Sequence, residues 1–330
     1  MFSKKIKKTS ILFLVSLFIF PISTYAYSEK IYASGENIGI SINTDGVLVV
    51  GSYEVNGIEP AKESGIEKGD IITKVNGKII STIDDMVKEI SLSNESYVSI
   101  TYERNNIENT TNLKVIKDKN NVCKTGLYVK DSITGIGTLT FIDPNTKLFG
   151  ALGHEVADST TGIMLEVKNG EIFSSSVTSI DRSTAGEPGS KNAKLNTDDI
   201  KGQINENTEK GIFGKYEEDI KVNTLYKVAS LNDIKKGEAN ILTVTEDEEI
   251  ETYKIEILKI NKDSNDLKNI LFEIKDEELL EKTGGVVQGM SGSPIIQGEY
   301  IIGAVTHVVV NHPNKGYGIF IETMLKEAED

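Results

Sequence analysis

The sequence predicts a mainly β, exported protein of two folded units, a small α+β unit followed by a larger all-β one. Three observations carry this. The N-terminus is built like an export segment. Residues 37–118 alternate short strands with one helical period. Residues 119–330 are dense in short alternating strands separated by Gly, Asn and Asp turns, the pattern of an antiparallel sandwich or barrel. At 330 residues the chain is long enough for two cores.

In the export segment, "MFSKKIKK" carries four lysines and "ILFLVSLFIFPIS" gives an apolar run from Ile11 to Ser23. Thr24 and Ala26 follow as small residues at cleavage spacing. The run is short for a membrane span, so residues 1–26 are either a cleaved signal peptide or a retained anchor, with 27–36 a linker. On either reading the rest of the chain lies outside the cytoplasm. A net charge of −14 argues against a nucleic-acid partner, because a phosphate backbone attracts basic surfaces. Cys123 is the only cysteine, which excludes an intramolecular disulfide and a Cys-based zinc site and suits a small apolar side chain. The three histidines, His154, His307 and His312, lack metal-ligand spacing, so no metal or other cofactor is expected.

In the first unit, "VLVVGS" (Val47 to Ser52) reads as a buried strand. Pro60 to Glu63 suits a short helical turn that Gly65 stops. Asn76-Gly77 is a strong two-residue hairpin signal, since both residues tolerate positive φ. Thr82 is placed as the N-cap of a helix carrying Ile83, Met86, Val87 and Ile90 on one face, and "YVSITYER" returns as a strand. This order resembles a PDZ domain over 37–118, most closely in "SGIEKGDIITKVNGK". The resemblance implies that "NIGI", with Ile38, Gly39 and Ile40, is the loop that receives a peptide C-terminus or an internal peptide as an added strand.

In the second unit, 119–330, strands are expected at "GIGTLTFID", "KLFGALG", "IFSSSVTSI", "GIFGKY", "EANILTV", "YKIEILKI" and "NILFEI". "DEELLEKTGG" reads as a short helix, and "STAGEPGSKN" (Ser183 to Asn192) as the longest loop. The chemistry concentrates in "GMSGSP". Serine catalysis needs an exposed hydroxyl, a base and donors for an oxyanion. Glycine-flanked Ser291 supplies the first, and the N–H groups of Gly289 and Ser291 supply the donors. Ser293 is the second small residue beside it. The pattern, and the strands "SPIIQ", "IIGAVTH" and "YGIFIE" after it, resemble chymotrypsin-like serine proteases, which implies a double β-barrel with its site in the cleft. His154, 137 positions before Ser291, is the expected base. Thr306 and His307 are placed to line a specificity pocket, although His307 also suits an ordinary barrel histidine; His312 sits in a turn. The carboxylate that orients the imidazole is open among Asp158, Asp181, Asp198, Asp199, Asp219 and Asp276.

The export segment, the PDZ pattern, "GLYVKDSITGIGTLTFIDP", "FGALGH" and "LLEKTGGVVQGMSGSPIIQ" together resemble the SpoIVB family of sporulation peptidases from endospore-forming bacteria. The resemblance implies a His–Asp–Ser set falling on His154, Asp276 and Ser291; Asp276 also suits the cap of the "EELLEK" helix. It further implies location in the forespore intermembrane space, self-cleavage, and cleavage of a membrane-held regulator that releases an intramembrane protease and so activates a late sigma factor. Two other readings stand beside it: an exported PDZ adaptor without catalysis, and a general quality-control protease.

Overall fold

The computed structural model describes residues 27–93, 95–164, 167–220, 224–262 and 267–329. The export segment expected at 1–26 lies outside them. Among the described residues no helix is long and apolar enough to cross a membrane.

The chain opens with β1 (Lys30–Ala33) and the long β2 (Asn37–Ser52). A compact set follows: α1 (Pro60–Ser64), β3 (Ile71–Val75), β4 (Lys78–Ile79), α2 (Ile83–Leu92), β5 (Tyr97–Arg104) and β6 (Ile107–Lys114). Local chemistry accounts for its joints. Gly65 ends α1 at φ 73° with its N–H on the carbonyls of Ala61 and Lys62. Asn76 and Gly77 turn β3 into β4 at φ 50° and 78°. Thr82 caps α2 by accepting from the Asp85 amide. The buried carboxylate of Asp70 is gripped by Arg104 through two contacts of 2.6 and 2.7 Å. Val47, Val49, Ile72, Val75, Met86, Ile90, Val98, Ile100 and Leu113 form the core. The short pair β7 (Ile116–Lys117) and β8 (Cys123–Lys124) follows, with Cys123 packed half-buried against this core.

Two barrels make up the rest. β9 (Leu127–Ile142), β10 (Leu148–Ala151), β11 (Asn169–Asp181), β12 (Ser190–Thr208) and β13 (Gly211–Tyr216) join the first half of β2. The pairings β2–β9, β9–β10, β10–β13, β13–β12, β12–β11 and β11–β2 close a six-stranded ring around Ile38, Ile40, Ile42, Phe149, Ile172 and Ile204. After β14 (Leu225–Val228) come β15 (Gly237–Val244), β16 (Ile250–Ile260), β17 (Ile270–Ile274), α3 (Glu277–Thr283), β18 (Pro294–Gln297), β19 (Tyr300–Val308), β20 (Lys315–Phe320) and α4 (Ile321–Glu327). The pairings β15–β16, β16–β17, β17–β20, β20–β19, β19–β18 and β18–β15 close a second six-stranded ring. Between the rings, Phe141, Phe213, Ile301, Ile319, Met324 and Leu325 form a shared apolar layer. The architecture is the expected mainly β one, a PDZ unit with a double barrel.

Three expectations change. Ile38, Gly39 and Ile40 do not form a PDZ ligand loop. They lie in β2 between β9 and β11, hydrogen-bonded within the first barrel, with both isoleucines in its core. Gly39 is needed because a Cβ there would lie 2.1 Å from the Phe173 ring. The PDZ unit is therefore an insertion between strands of the first barrel, rather than a separate block over 37–118 ahead of a peptidase domain over 119–330. Its sheet is completed by Leu127–Lys130 of β9 paired to Leu48–Ser52, with α2 packed alongside. Finally, the expected loop 183–192 is short: Ser190 to Asn192 already belong to β12.

Gly39→Ala tests the relocation. It should lower folding stability by about 1–3 kcal/mol through overpacking against Phe173, measured by denaturant unfolding. A variant of unchanged stability would return Gly39 to a surface loop.

Candidate active site

The turn that carries Ser291 runs from Val286 to Pro294 between α3 and β18. The Met290 amide donates to the Val287 carbonyl and the Ser293 amide to that of Met290. The Met290 side chain is fully buried in the second barrel's core. Gly289 and Gly292 sit at φ 93° and 95°, which favours glycine. At Gly292 a Cβ would also lie 2.0 Å from the Thr138 carbonyl oxygen. Three bonds fasten this turn to the first barrel. Thr138 Oγ1 donates to the Gly289 carbonyl at 2.7 Å, Thr140 Oγ1 to that of Gly292 at 2.8 Å, and the Thr138 amide to that of Ser291 at 2.9 Å.

His154 is delivered by β10. Leu152 and Gly153, both left-handed at φ 70° and 74°, turn the chain out of the strand. A non-glycine residue is uncommon there and signals a constraint. Leu152 is held by the bare α-carbon of Gly137, where a Cβ would meet its Cδ2 at 2.0 Å. Gly153 lies close against Thr306 and Ile319 of the second barrel.

The two lines converge. Ser291, His154, Gly289, Thr306 and His307 all line one cleft of about 650 Å³ between the barrels. The His154 and His307 rings lie 5.5 Å apart. The amides of Gly289 and Ser291 donate to no protein acceptor among the described residues, so both are open for an oxyanion. Ser291 Oγ donates to the Thr306 carbonyl at 2.8 Å, and no Ser291–His154 hydrogen bond is formed. His154 Nδ1 lies 2.7 Å from the Glu155 carbonyl oxygen. That acceptor calls for a proton on Nδ1 and leaves Nε2 as the basic nitrogen.

The carboxylate expected beside His154 is not there. Asp276 is the N-cap of α3: its Oδ1 accepts from the Leu279 amide and its Oδ2 from that of Lys254, and it does not line the cleft. A carboxylate at a helix N-terminus satisfies orphan amides and meets the favourable end of the dipole. Of the other candidates only Asp158 reaches the cleft. Its oxygens are taken by Lys130 Nζ at 2.7 Å, the amides of Thr160 and Thr161, and Thr161 Oγ1. Burial alone would raise its pKa, but the Lys130 ammonium and these donors outweigh it and hold Asp158 below the usual carboxylate range. Asp158 therefore ties the loop carrying His154 to β9. Asp181 accepts from Ser190 and Asn192, Asp199 pairs with Lys201, and Asp198 and Asp219 are exposed away from the cleft. Ser293, the expected small neighbour, is buried with an unpartnered hydroxyl.

Sequence reasoning missed Lys191. Its stem lies against Gly289, whose Cβ would come within 3.1 Å of it. Its Nζ meets Thr243 Oγ1 at 3.0 Å and Asn37 Oδ1 at 3.4 Å, all three residues being buried. No carboxylate is among these partners. Burial pushes the amine down to about 7. A lysine in a polar stretch of "GSKNAK" carries no signal of burial; it is enclosed only where the first barrel meets Thr243 and the Gly289 turn of the second.

Two outcomes follow from these environments. Between pH 7 and 10.5 the unfolded chain holds the Lys191 proton while the folded protein releases it, so stability rises with pH there by roughly 1.4 kcal/mol per unit. Lys191→Met should remove this rise, seen as a stability difference from the parent that shifts steadily in the parent's favour from pH 7 to 10.5; parallel curves would show that Lys191 keeps an ordinary pKa. Asp276→Ala should cost about 1 kcal/mol and Asp276→Ser should recover most of it, by thermal unfolding.

Residues 121–325 match the family model of SpoIVB peptidase S55, and residues 37–115 match that of the PDZ domain. A probable CtpA-like serine protease of Staphylococcus aureus (strain COL) is 28% identical over 180 residues, covering 51% of this chain and 35% of that protein. The chain thus spans about a third of the length of the curated relatives it matches. The PDZ domain of the SdrC-like protein of Listeria monocytogenes is 24% identical, covers 27% of this chain and 93% of its own, and has a TM-score of 0.24. The active form of the Rv3671c protease of M. tuberculosis is 16% identical, with 59% and 74% covered and a TM-score of 0.33. Because the first of these matches takes in more than half of the residues and includes both His154 and Ser291, the chain belongs to the SpoIVB peptidase S55 family.

Proposed function

We propose that this protein is a serine endopeptidase in which Ser291 attacks the scissile carbonyl and His154 Nε2 takes the hydroxyl proton. The oxyanion of the tetrahedral intermediate is held by the Gly289 and Ser291 amides. His154 then returns the proton to the leaving amine, and water cleaves the acyl-enzyme by the same route. One observation carries this reading: a single cleft between the barrels brings glycine-flanked Ser291 and His154 together with two open amides. The Glu155 carbonyl orients the imidazole, and Thr306 releases Ser291 Oγ as the pair closes. Hydrogen bonds in unliganded sites are often unmade and tighten with substrate.

The biological setting belongs to the same proposal. The family and the export segment support a sporulation peptidase in the forespore intermembrane space. There it cleaves itself and a membrane-held regulator, which triggers intramembrane processing of a late sigma factor. The PDZ unit supports binding of substrate peptides. A second reading, an exported PDZ adaptor without catalysis, draws on Ser291 Oγ bonded to Thr306 and on the missing carboxylate at His154.

A fluorophosphonate probe separates the two, since only a working nucleophile labels. The parent should label at Ser291, and Ser291→Ala should stay folded while losing label, self-cleavage and at least about a thousandfold in peptide hydrolysis. Undiminished cleavage by Ser291→Ala would remove Ser291 from the reaction. Mass spectrometry of the products distinguishes one or a few cut sites from the many expected of a quality-control protease.

A further inference from the structure

An oxyanion site works only while its N–H groups face the cleft. At Gly289 the chain alone does not ensure this. A glycine takes φ of either sign at little cost, so the Gln288–Gly289 peptide can turn over unless something holds it. Across a trans peptide the C=O and the next N–H point in opposite directions. Turning over would therefore put the Gln288 carbonyl where the Gly289 N–H belongs.

The start of β12 holds that peptide. The Gln288 amide donates to the Gly189 carbonyl at 2.8 Å, and the Lys191 amide donates to the Gln288 carbonyl at 2.9 Å. These bonds pair Ser190 and Gln288 in parallel. With its carbonyl directed at Lys191, the peptide sends the Gly289 N–H away from β12, toward the cleft that Gly289 lines. Thr138 Oγ1 takes the Gly289 carbonyl on the far side. The Lys191 side chain completes the hold. A Cβ on Gly289 would lie 3.1, 3.2 and 3.2 Å from Cδ, Cβ and Cγ of Lys191, so these carbons fill the space where a side chain would go.

The amine ends in the seam between the barrels. It meets Thr243 Oγ1 of β15 and Asn37 Oδ1 of β2, and Asn37 Nδ2 donates in turn to Ser175 Oγ of β11 at 2.7 Å. None of these groups is ionisable, and burial alone lowers the pKa of the amine. The set suits an uncharged amine, which accepts from the Thr243 hydroxyl and donates to Asn37. An ammonium has three donors and no acceptor. It would leave one donor and the Thr243 hydroxyl hydrogen unmet in a dry place, which drives the charged group toward water.

We propose that Lys191 is a positioning residue of the oxyanion site: its main-chain amide orients the Gln288–Gly289 peptide, and its uncharged side chain, wedged beside Gly289, keeps that orientation. This role rests on Ser291 being the nucleophile. It gives the buried lysine a task in the reaction without contact to substrate. Protonation withdraws the wedge, so in acid the site loses the Gly289 donor as well as the His154 base, through two protons instead of one.

The experiment follows the rate of fluorophosphonate labelling in the full chain, because the phosphonyl oxygen enters the oxyanion site as the bond to Ser291 forms. In the parent the rate should fall a hundredfold per pH unit at the acid end of its profile, where His154 and Lys191 each take up a proton. Lys191→Met keeps the stem without the amine, and its acid limb should fall only tenfold per unit. At about pH 8.5, where the amine is uncharged, Lys191→Ala should lower the maximal labelling rate at least tenfold. The half-saturating probe concentration should change less than threefold, since the lost contact acts in the transition state. Lys191→Met should recover most of that rate. A tenfold-per-unit limb in the parent, an alanine variant as fast as the parent, or a loss that methionine does not recover overturns the proposal. Should Lys191→Ala fail to fold, the acid limb of Lys191→Met decides alone, and a limb as steep as the parent's overturns it. A parent that labels at no pH would instead remove the peptidase reading.

Discussion

Two buried threonine hydroxyls on β9 bind the Ser291 turn of the second barrel to a strand of the first. Thr138 and Thr140 are fully buried, and they satisfy the carbonyls of Gly289 and Gly292, which have no other place in a ladder. Each such bond is worth only about 0.5–1.5 kcal/mol net. Left unmade, each would strand two buried polar groups at the centre of the molecule, which costs more. The relative placement of the barrels is therefore set at Ser291 itself. The cleft, the approach of His154 through Gly153, and the open amides of Gly289 and Ser291 follow from that attachment.

The surroundings of His154 hold an imidazole in place without a carboxylate. A main-chain carbonyl fixes the tautomer, and the Lys130–Asp158 pair anchors the loop to β9. Neither neutralises an imidazolium as an ionised carboxylate would. A site built this way gives geometry readily and charge stabilisation sparingly.

Much of this was legible in the sequence where a local rule operates. Asn76-Gly77, Gly65 and Thr82 act through their own backbone, and each does what its type dictates. The glycines of "GMSGSP" mark one turn by their positive φ, and the alternating strands from "GIGTLTFID" to "NILFEI" announce their own period. What stayed hidden depends on partners far along the chain. Nothing within "NIGISIN" distinguishes a strand of a distant barrel from the ligand loop of the adjacent PDZ unit, because a glycine between isoleucines suits both. The polar run "SKNAKLNTDD" hides β12, since a strand with one solvated face and a twisted end lacks an apolar signature. Asp276 satisfies a cap and a catalytic motif with the same letter, and only position decides between them.

The insertion of the PDZ unit has a mechanical consequence. Its two covalent joints, one in β2 and one in β9, are neighbours in a ladder, with Asn43 opposite Ser132. An accessory domain on a single linker is a tethered body, free to tumble and coupled to its partner only through local concentration. One grafted onto the tip of a hairpin is a lever on a stiff ribbon. Whatever twists the graft is transmitted along β9 to Thr138, and through its amide to the carbonyl of Ser291.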